Sequence, residues 1–166
     1  MKRLYVLLTM ALSASAVGAM AKDTASQTFL KKAIEGNYAE VQMGQLAQKN
    51  AQNDDVKNFG KMLSDDHSAA NQKALDAASK LGVTAPTEPS AQQKIDYDKI
   101  SKMTGAAFDR MFARHMVADH QKDLAEYKKE AKEKDAAGEY ASGEVDTLQK
   151  HLDTAKGLRA DKSASK

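Results

Sequence analysis

Three of the four histidines, His67, His120 and His151, each fall near the middle of a separate predicted helix, and Glu40 falls near the middle of another. Imidazole nitrogens and a carboxylate are suitable ligands for a divalent transition metal. Residues at the midpoints of packed helices can meet in one buried layer, although they are far apart in sequence. These four residues are therefore the candidate ligands of a metal site.

The positions of these residues along their helices support a common layer. Each histidine lies about 15 residues from a turn or a helix end, and Glu40 lies about 12 residues from one, which puts all four roughly 18–23 Å from an end of the predicted bundle. Each also belongs to a series of apolar or small residues with three- and four-residue spacing. Such a series predicts that the residue faces the core.

Other interpretations of the same residues stay open. Histidines on apolar helix faces are common as hydrogen-bonded core residues, so the cluster is alternatively a metal-free polar network. Asp66 and Asp119 directly precede His67 and His120, and neighbouring helical residues point about 100° apart. These two aspartates are candidates to hydrogen-bond to a ligand histidine, or they are solvated charges on a helix face.

Two residue types are set apart from this site. His115 is five residues before His120, which rotates it about 140° away on a helix, so it is expected on a flank or at the surface. The methionines lack the Met-x-x-Met spacing of a soft-metal site, and core packing explains them. The chain contains no cysteine, so neither a disulfide nor a thiolate metal site is possible.

Helices are the elements that must position these side chains. The sequence is rich in Ala, Lys, Gln, Glu and Leu, and its apolar periodicity predicts helix nearly throughout. Four long helices are expected, over residues 27–50, 54–81, 105–134 and 136–158. Asn53 or Asp54 is the predicted N-cap of the second helix, and Gly82 is predicted to follow its end.

The connections between the helices predict their arrangement. Short connections make the first two helices one antiparallel hairpin and the last two another. The longer segment 82–104 carries a short predicted helix at 90–103 and can run the length of a bundle. The predicted fold is therefore all-α, a ferritin-like four-helix bundle of two antiparallel hairpins joined by a long crossover. A segment packed at one end of the bundle is the alternative.

The first 21 residues predict a signal peptide. A basic start and an apolar run to about Leu12 precede Ala19-Met20-Ala21, which has the small-x-small pattern of a cleavage site. The apolar run is too short to span a bilayer comfortably. We expect cleavage near Ala21, no transmembrane segment in the mature chain, and a periplasmic or secreted protein.

The charge balance gives no reason to expect nucleic-acid binding. The chain has 25 basic and 23 acidic residues, and removal of residues 1–21 leaves 23 of each. A domain without net charge has no overall electrostatic attraction to nucleic acid. The rest of the chain predicts one domain over about residues 27–158 and a disordered polar tail at 159–166.

Four short segments carry a family resemblance. They are FLKKAIEGNYAEVQMGQLA at 29–47, FGKM followed by Asp66-His67, TGAAFD at 104–109 with His120 beyond it, and Leu148 with His151-Leu152. Together they resemble the DUF4142 family of exported bacterial proteins, which is assigned to the ferritin-like superfamily. The resemblance covers about residues 27–158. It implies a ferritin-like fold and a site at the four candidate ligands, but no established biochemical role.

The chain departs from the di-iron pattern of ferritin-like proteins. A carboxylate-bridged di-iron site takes Glu-x-x-His from each of two helices. Here Ser64, Val117 and Leu148 stand three residues before the three candidate histidines. One glutamate with three histidines favours a single divalent ion, with zinc preferred and copper, nickel or iron as alternatives.

The sequence therefore predicts a periplasmic metal-binding protein that buffers or senses metal, or that an ion stabilises. One alternative is a metal-free envelope stress or interaction protein with a buried His/Glu network. The other is a mononuclear metal enzyme of unknown substrate. Four protein ligands would close the site to a reacting water, and no nucleophile, phosphate loop or cofactor motif supports an enzyme, so the enzyme is not favoured.

Overall fold

The computed structural model describes residues 23–160, which form five α-helices and no strand. The helices are α1 (Ala25–Asn50), α2 (Asp54–Lys80), α3 (Ala91–Ser101), α4 (Gly105–Glu130) and α5 (Ala136–Ala160). The all-α prediction is confirmed. The predicted signal peptide at 1–21 and the last residues of the predicted tail, 161–166, lie outside the described residues. In the described part, none of the helices has both the length and the apolar character needed to cross a membrane.

Local signals determine where the helices begin and end. Thr24 before α1 and Ser90 before α3 both form capping boxes, in which side chains pair with exposed backbone N–H groups. The N-cap of α2 is Asn53, one of the two predicted candidates. Gly82 after α2 has a φ of 65°, a left-handed conformation that favours glycine at a helix end.

The turn between α4 and α5 differs from the prediction. Residues 131–134 are good helix formers, yet α4 ends at Glu130. Asp135 accepts hydrogen bonds from two backbone N–H groups at the start of α5 and so caps that helix. A Cβ atom at Gly138 would lie 2.1 Å from the carbonyl oxygen of Glu133. The tight turn therefore requires glycine at this position and ends α4 early.

The five helices share one interior. α1 packs along α2, α4 packs along α5, and α2 contacts α5. The short helix α3 contacts α1 and α4 and buries only Ile100. The core between the long helices is aliphatic and aromatic, with Phe59, Phe108 and Phe112 almost completely buried. This packing brings the middle turns of the long helices around a common interior.

A buried aspartate ties α4 to the connection between α1 and α2. Asp109 is 1% exposed, and its carboxylate accepts hydrogen bonds from the backbone N–H groups of Gln52 at 3.0 Å and Asn53 at 3.2 Å. Hydrogen bonds to a carboxylate are among the stronger ones in proteins. The contact holds α4 in register with α1 and α2, and so helps to fix the depth of His120.

Candidate metal centre

The structure brings together His67 of α2, His120 of α4 and His151 of α5. One ring nitrogen of each histidine lies within 4.8 Å of one ring nitrogen of each of the others. The ring centroids are 5.2–5.7 Å apart. All three side chains are buried, and His151 is 0% exposed. The three histidines therefore meet in one layer, as their depths along the helices predict.

Each imidazole is held by a hydrogen bond at one nitrogen. The three contacts are His67 Nδ1 with Asn37 Oδ1 at 2.9 Å, His120 Nδ1 with Met116 O at 3.0 Å, and His151 Nε2 with Asp66 Oδ2 at 2.9 Å. All three partners are acceptor oxygens, so the ring nitrogen facing each of them carries the proton. The hydrogen bonds thus determine both the tautomer and the orientation of each ring.

The opposite nitrogens carry lone pairs and are free. His67 Nε2, His120 Nε2 and His151 Nδ1 are all buried and have no hydrogen-bond partner among residues 23–160. A buried acceptor without a partner is costly. Three of them in one cluster match what a metal ion requires, because each imidazole offers one lone pair while its other nitrogen is anchored.

Burial keeps the three imidazoles neutral. It lowers the pKa of His67 well below its ordinary value and lowers the pKa of His120 to about 4. The neighbouring imidazoles lower these two pKa values further, since a charge on one ring disfavours a charge on the next. Burial also lowers the pKa of His151. Neutral imidazole is the form that binds a metal ion.

Asn37 of α1 is a residue of this centre that the sequence predictions missed. It is 2% exposed. Its Nδ2 donates to the hydroxyl of Tyr140 at 3.0 Å, which leaves Oδ1 to accept from His67. The Tyr140 hydroxyl lies 3.1 Å from that of Tyr127. The available signal was a polar residue three positions before Glu40, on the inward side of α1.

Asp66 of α2 contacts the centre through His151 of the neighbouring helix α5. Its Oδ2 accepts the hydrogen bond from His151 of α5, not from its sequence neighbour His67. The Asp66 side chain is 38% exposed, whereas His151 is 0% exposed, so the carboxylate links the buried ring to the surface. This is the contact that orientation of a metal ligand would require.

Glu40 is buried but lies outside the group of three imidazoles. It is 3% exposed, and its carboxyl group hydrogen-bonds to Asp119. Burial, the charge of Asp119 and the charge of Asp123 raise the pKa of Glu40 well above its ordinary value. The structure thus places Asp119 beside Glu40. A role for Glu40 as a ligand of the histidine-bound ion stays a prediction.

His115 is half-buried on α4 and is not in the group of imidazoles, in agreement with its helical phase.

Comparison with known proteins gives the family. The family described as "Domain of unknown function (DUF4142)" matches residues 9–158. The chain belongs to the DUF4142 family. No curated protein and no solved structure matches the chain. The resemblance seen in the sequence segments is therefore confirmed at the level of the family, which carries no assigned function.

A cavity of about 310 Å³ lies beside the candidate metal centre of this DUF4142 protein, on the side of His67. His67 is one of its lining residues, and acidic side chains outnumber the two lysines on its walls. The acidic residues are Glu35, Asp96, Asp119, Asp123 and Glu126. Burial and the charge of Asp119 raise the pKa of Asp123 to about 7. Acidic side chains therefore predominate on the cavity wall beside the imidazole of His67, which favours the presence of cations there.

Proposed function

We propose that this protein binds one divalent transition-metal ion through His67, His120 and His151. The observation that carries the proposal is the set of three buried nitrogens without a hydrogen-bond partner in the described chain, each on a ring whose other nitrogen is anchored. Core packing has no need for three such lone pairs at one point. A metal ion uses all of them.

The donor set favours zinc among the possible ions. Imidazole is a suitable ligand for zinc, copper, nickel and iron. Three neutral nitrogen donors do not favour an ion that prefers oxygen ligands, such as Mg²⁺ or Ca²⁺. A tetrahedral zinc ion at about 2.0–2.1 Å from each nitrogen holds the nitrogens about 3.4 Å apart. Binding would therefore draw together any pair that lies near the 4.8 Å limit. The role that follows is metal buffering or sensing, or stabilisation of the fold by the ion.

Zinc titration of the purified protein tests the proposal. We expect one zinc ion per chain, measured by competition with a chromophoric chelator, and a higher melting temperature in the presence of zinc. At free zinc 100 times the dissociation constant, the free energy of unfolding should rise by about 2.7 kcal/mol. His151→Leu should abolish both effects, because it removes one donor.

A second histidine of the chain serves as the control. His115→Gln changes a half-buried histidine of α4 outside the group, and it should leave zinc binding unchanged. If the wild-type protein retains no zinc and its melting temperature does not respond, the metal-free network of buried histidines is the better explanation. His151→Leu would then be harmless or stabilising.

A metal enzyme is the second candidate function. Two observations favour it: the group of donors contains three nitrogens and not four, and His67 lines the cavity of about 310 Å³. Three protein ligands leave one position of a tetrahedral ion for water. In the Co²⁺-substituted protein, added azide should then change the visible absorption bands. Bands that do not respond would mean a closed site.

We also propose that the five helices form a ferritin-like four-helix bundle and that the protein is exported. The packing of α1 with α2 and of α4 with α5, with α3 in the segment between the pairs, supports the bundle. The basic and apolar start and the Ala19-Met20-Ala21 pattern support export to the periplasm or beyond. N-terminal sequencing of the protein from the periplasmic fraction should give a chain that begins near Lys22.

A further inference from the structure

A second, smaller pocket lies between α1, α3 and α4. Its volume is about 40 Å³, which is enough for a water molecule or a metal ion. Glu40 of α1, Asp96 of α3, and His115 and Asp119 of α4 are among its lining residues. None of the three grouped histidines lines it. The pocket therefore has its own set of polar side chains.

The carboxyl group of Glu40 is buried and incompletely hydrogen-bonded in this pocket. The residue is 3% exposed, and its Oε2 is buried without a hydrogen-bond partner among the described residues. Its carboxyl group is hydrogen-bonded to Asp119, which is itself acidic. A buried carboxylate oxygen without a partner is costly, and a cation held between Glu40 and Asp119 would supply the missing partner.

The carboxyl groups of Glu40 and Asp119 have no lysine or arginine partner on the described wall of the pocket. Among the described residues that line the pocket there is neither a lysine nor an arginine. His115 is the single basic group on its wall. Buried carboxylates in proteins are paired with a positive side chain or coordinate a metal. Because neither a lysine nor an arginine is among the described residues that line this pocket, its volume is available for a metal ion.

The pocket also adjoins the larger, mostly acidic cavity. Gln93, Asp96 and Asp119 line both this pocket and the cavity of about 310 Å³. The larger cavity adds the carboxylates of Asp123 and Glu126. A divalent cation that enters the acidic cavity would therefore meet the Glu40 and Asp119 pair.

We propose that Glu40 and Asp119 bind a second divalent cation, separate from the ion at the three histidines. Two carboxylates with water molecules in the remaining positions are a ligand set for an ion that prefers oxygen, such as Mg²⁺ or Mn²⁺. His115 stands on the pocket wall as a neighbouring group. This site goes beyond the proposed transition-metal function and does not depend on it.

Manganese titration of zinc-treated protein tests the second site. One equivalent of Zn²⁺ is added first to occupy the histidines, and Mn²⁺ binding is then followed by the loss of the EPR signal of free Mn²⁺. The wild-type protein should bind one Mn²⁺ per chain. Glu40→Gln should weaken Mn²⁺ binding by about tenfold or more, because it removes one charged ligand, and should keep the zinc stoichiometry.

Control variants separate the site from a general effect of charge. Asp76→Asn removes an exposed carboxylate of α2 that does not line the pocket, and it should leave Mn²⁺ binding unchanged. Asp119→Asn should behave like Glu40→Gln. Circular dichroism checks that each variant is folded. His151→Leu should lose zinc and keep Mn²⁺ binding, so the two sites are tested independently.

Three results would overturn the proposal. If the wild-type protein binds no Mn²⁺, then Glu40 and Asp119 do not form a cation site. If Mn²⁺ binds equally well to wild type and Glu40→Gln, the ion lies elsewhere. If Glu40→Gln loses zinc and keeps Mn²⁺, then Glu40 belongs to the histidine site. By contrast, Mn²⁺ binding that depends on Glu40 in a protein that never retains zinc would support this proposal while the transition-metal function fails.

Discussion

The close approach of α1 and α2 gives a prediction about how the site is positioned. Gly44 of α1 faces Gly60 of α2, and a Cβ atom added at Gly44 would lie 2.4 Å from the Gly60 carbonyl oxygen and 2.5 Å from the Ser64 hydroxyl oxygen. Ordinary contacts of a Cβ atom begin near 3.4 Å. Gly44→Ala must therefore push the two helices apart by about 1 Å at this point.

The cost of Gly44→Ala follows from two opposing contributions. Alanine is favoured over glycine inside a helix by about 1 kcal/mol, whereas overpacking of a tight interface costs about 1–3 kcal/mol. The atom in the way is a backbone oxygen, which cannot rotate aside, so the cost should lie in the upper part of that range. We expect Gly44→Ala to lower the free energy of unfolding by about 1–2 kcal/mol.

A glycine in open space provides the matched control. Gly143 of α5 is exposed, and a Cβ atom there would meet no atom of the described residues within 4 Å. Gly143→Ala should therefore raise the free energy of unfolding by about 1 kcal/mol. Urea denaturation followed by circular dichroism measures both variants, which should differ by about 2–3 kcal/mol.

Zinc affinity should respond in the same way. His67 lies seven residues after Gly60 on α2, so a displaced α2 moves His67 relative to His120 and His151. Gly44→Ala should weaken zinc binding, while Gly143→Ala should not. If Gly44→Ala is as stable as Gly143→Ala, then α1 and α2 are not in close contact at Gly44 and Gly60, and the expected cost of overpacking is refuted.

Three further predictions concern the chemistry of the site. Asp66→Asn should weaken zinc binding by about 10- to 100-fold, since it removes the carboxylate that orients His151. Asp65→Asn, which changes the exposed neighbouring residue, should leave zinc binding unchanged. Equal losses in the two variants would contradict the role of Asp66 in orienting His151. In the metal-free protein, burial lowers the pKa of His120 to about 4 from 6.5, so between these pH values the unfolded chain takes up a proton that the folded protein does not. This group should therefore remove about 3 kcal/mol of stability as the pH falls from 6.5 to about 4. Asp123 opposes it, because its pKa is raised from 3.8 to about 7 and the folded protein keeps a proton there that the unfolded chain has lost. Asp123→Asn should be more stable than wild type above pH 7 and should lose more stability on acidification to pH 4. Urea denaturation across that pH range measures both effects. If the pH profiles of the two proteins coincide, the pKa of Asp123 is not shifted.

The helices and their inward faces could be predicted because they depend on local chemistry. Periodicity fixes which side of a helix is apolar, and rise per residue fixes depth, so His67, His120 and His151 could be placed in one layer before any packing was known. Asn53 as an N-cap and Gly82 as a helix end follow from hydrogen-bonding groups and backbone freedom within a few residues.

The end of α4 could not be predicted in the same way. Residues 131–134 favour helix when considered alone. The early end depends on the turn into α5, where Asp135 caps the new helix and Gly138 allows the chain to pass close to Glu133. A boundary set by two helices together is not contained in the propensity of either.

The sequence by itself determined the residue types, their depth and their direction from each helix axis, because those follow from α-helical geometry. Only the tertiary structure decided which neighbours they meet. Asn37 rather than a carboxylate holds His67, Asp66 hydrogen-bonds to His151, and Glu40 hydrogen-bonds to Asp119. These pairings depend on the rotation and spacing of one helix against another, which a helical period does not specify.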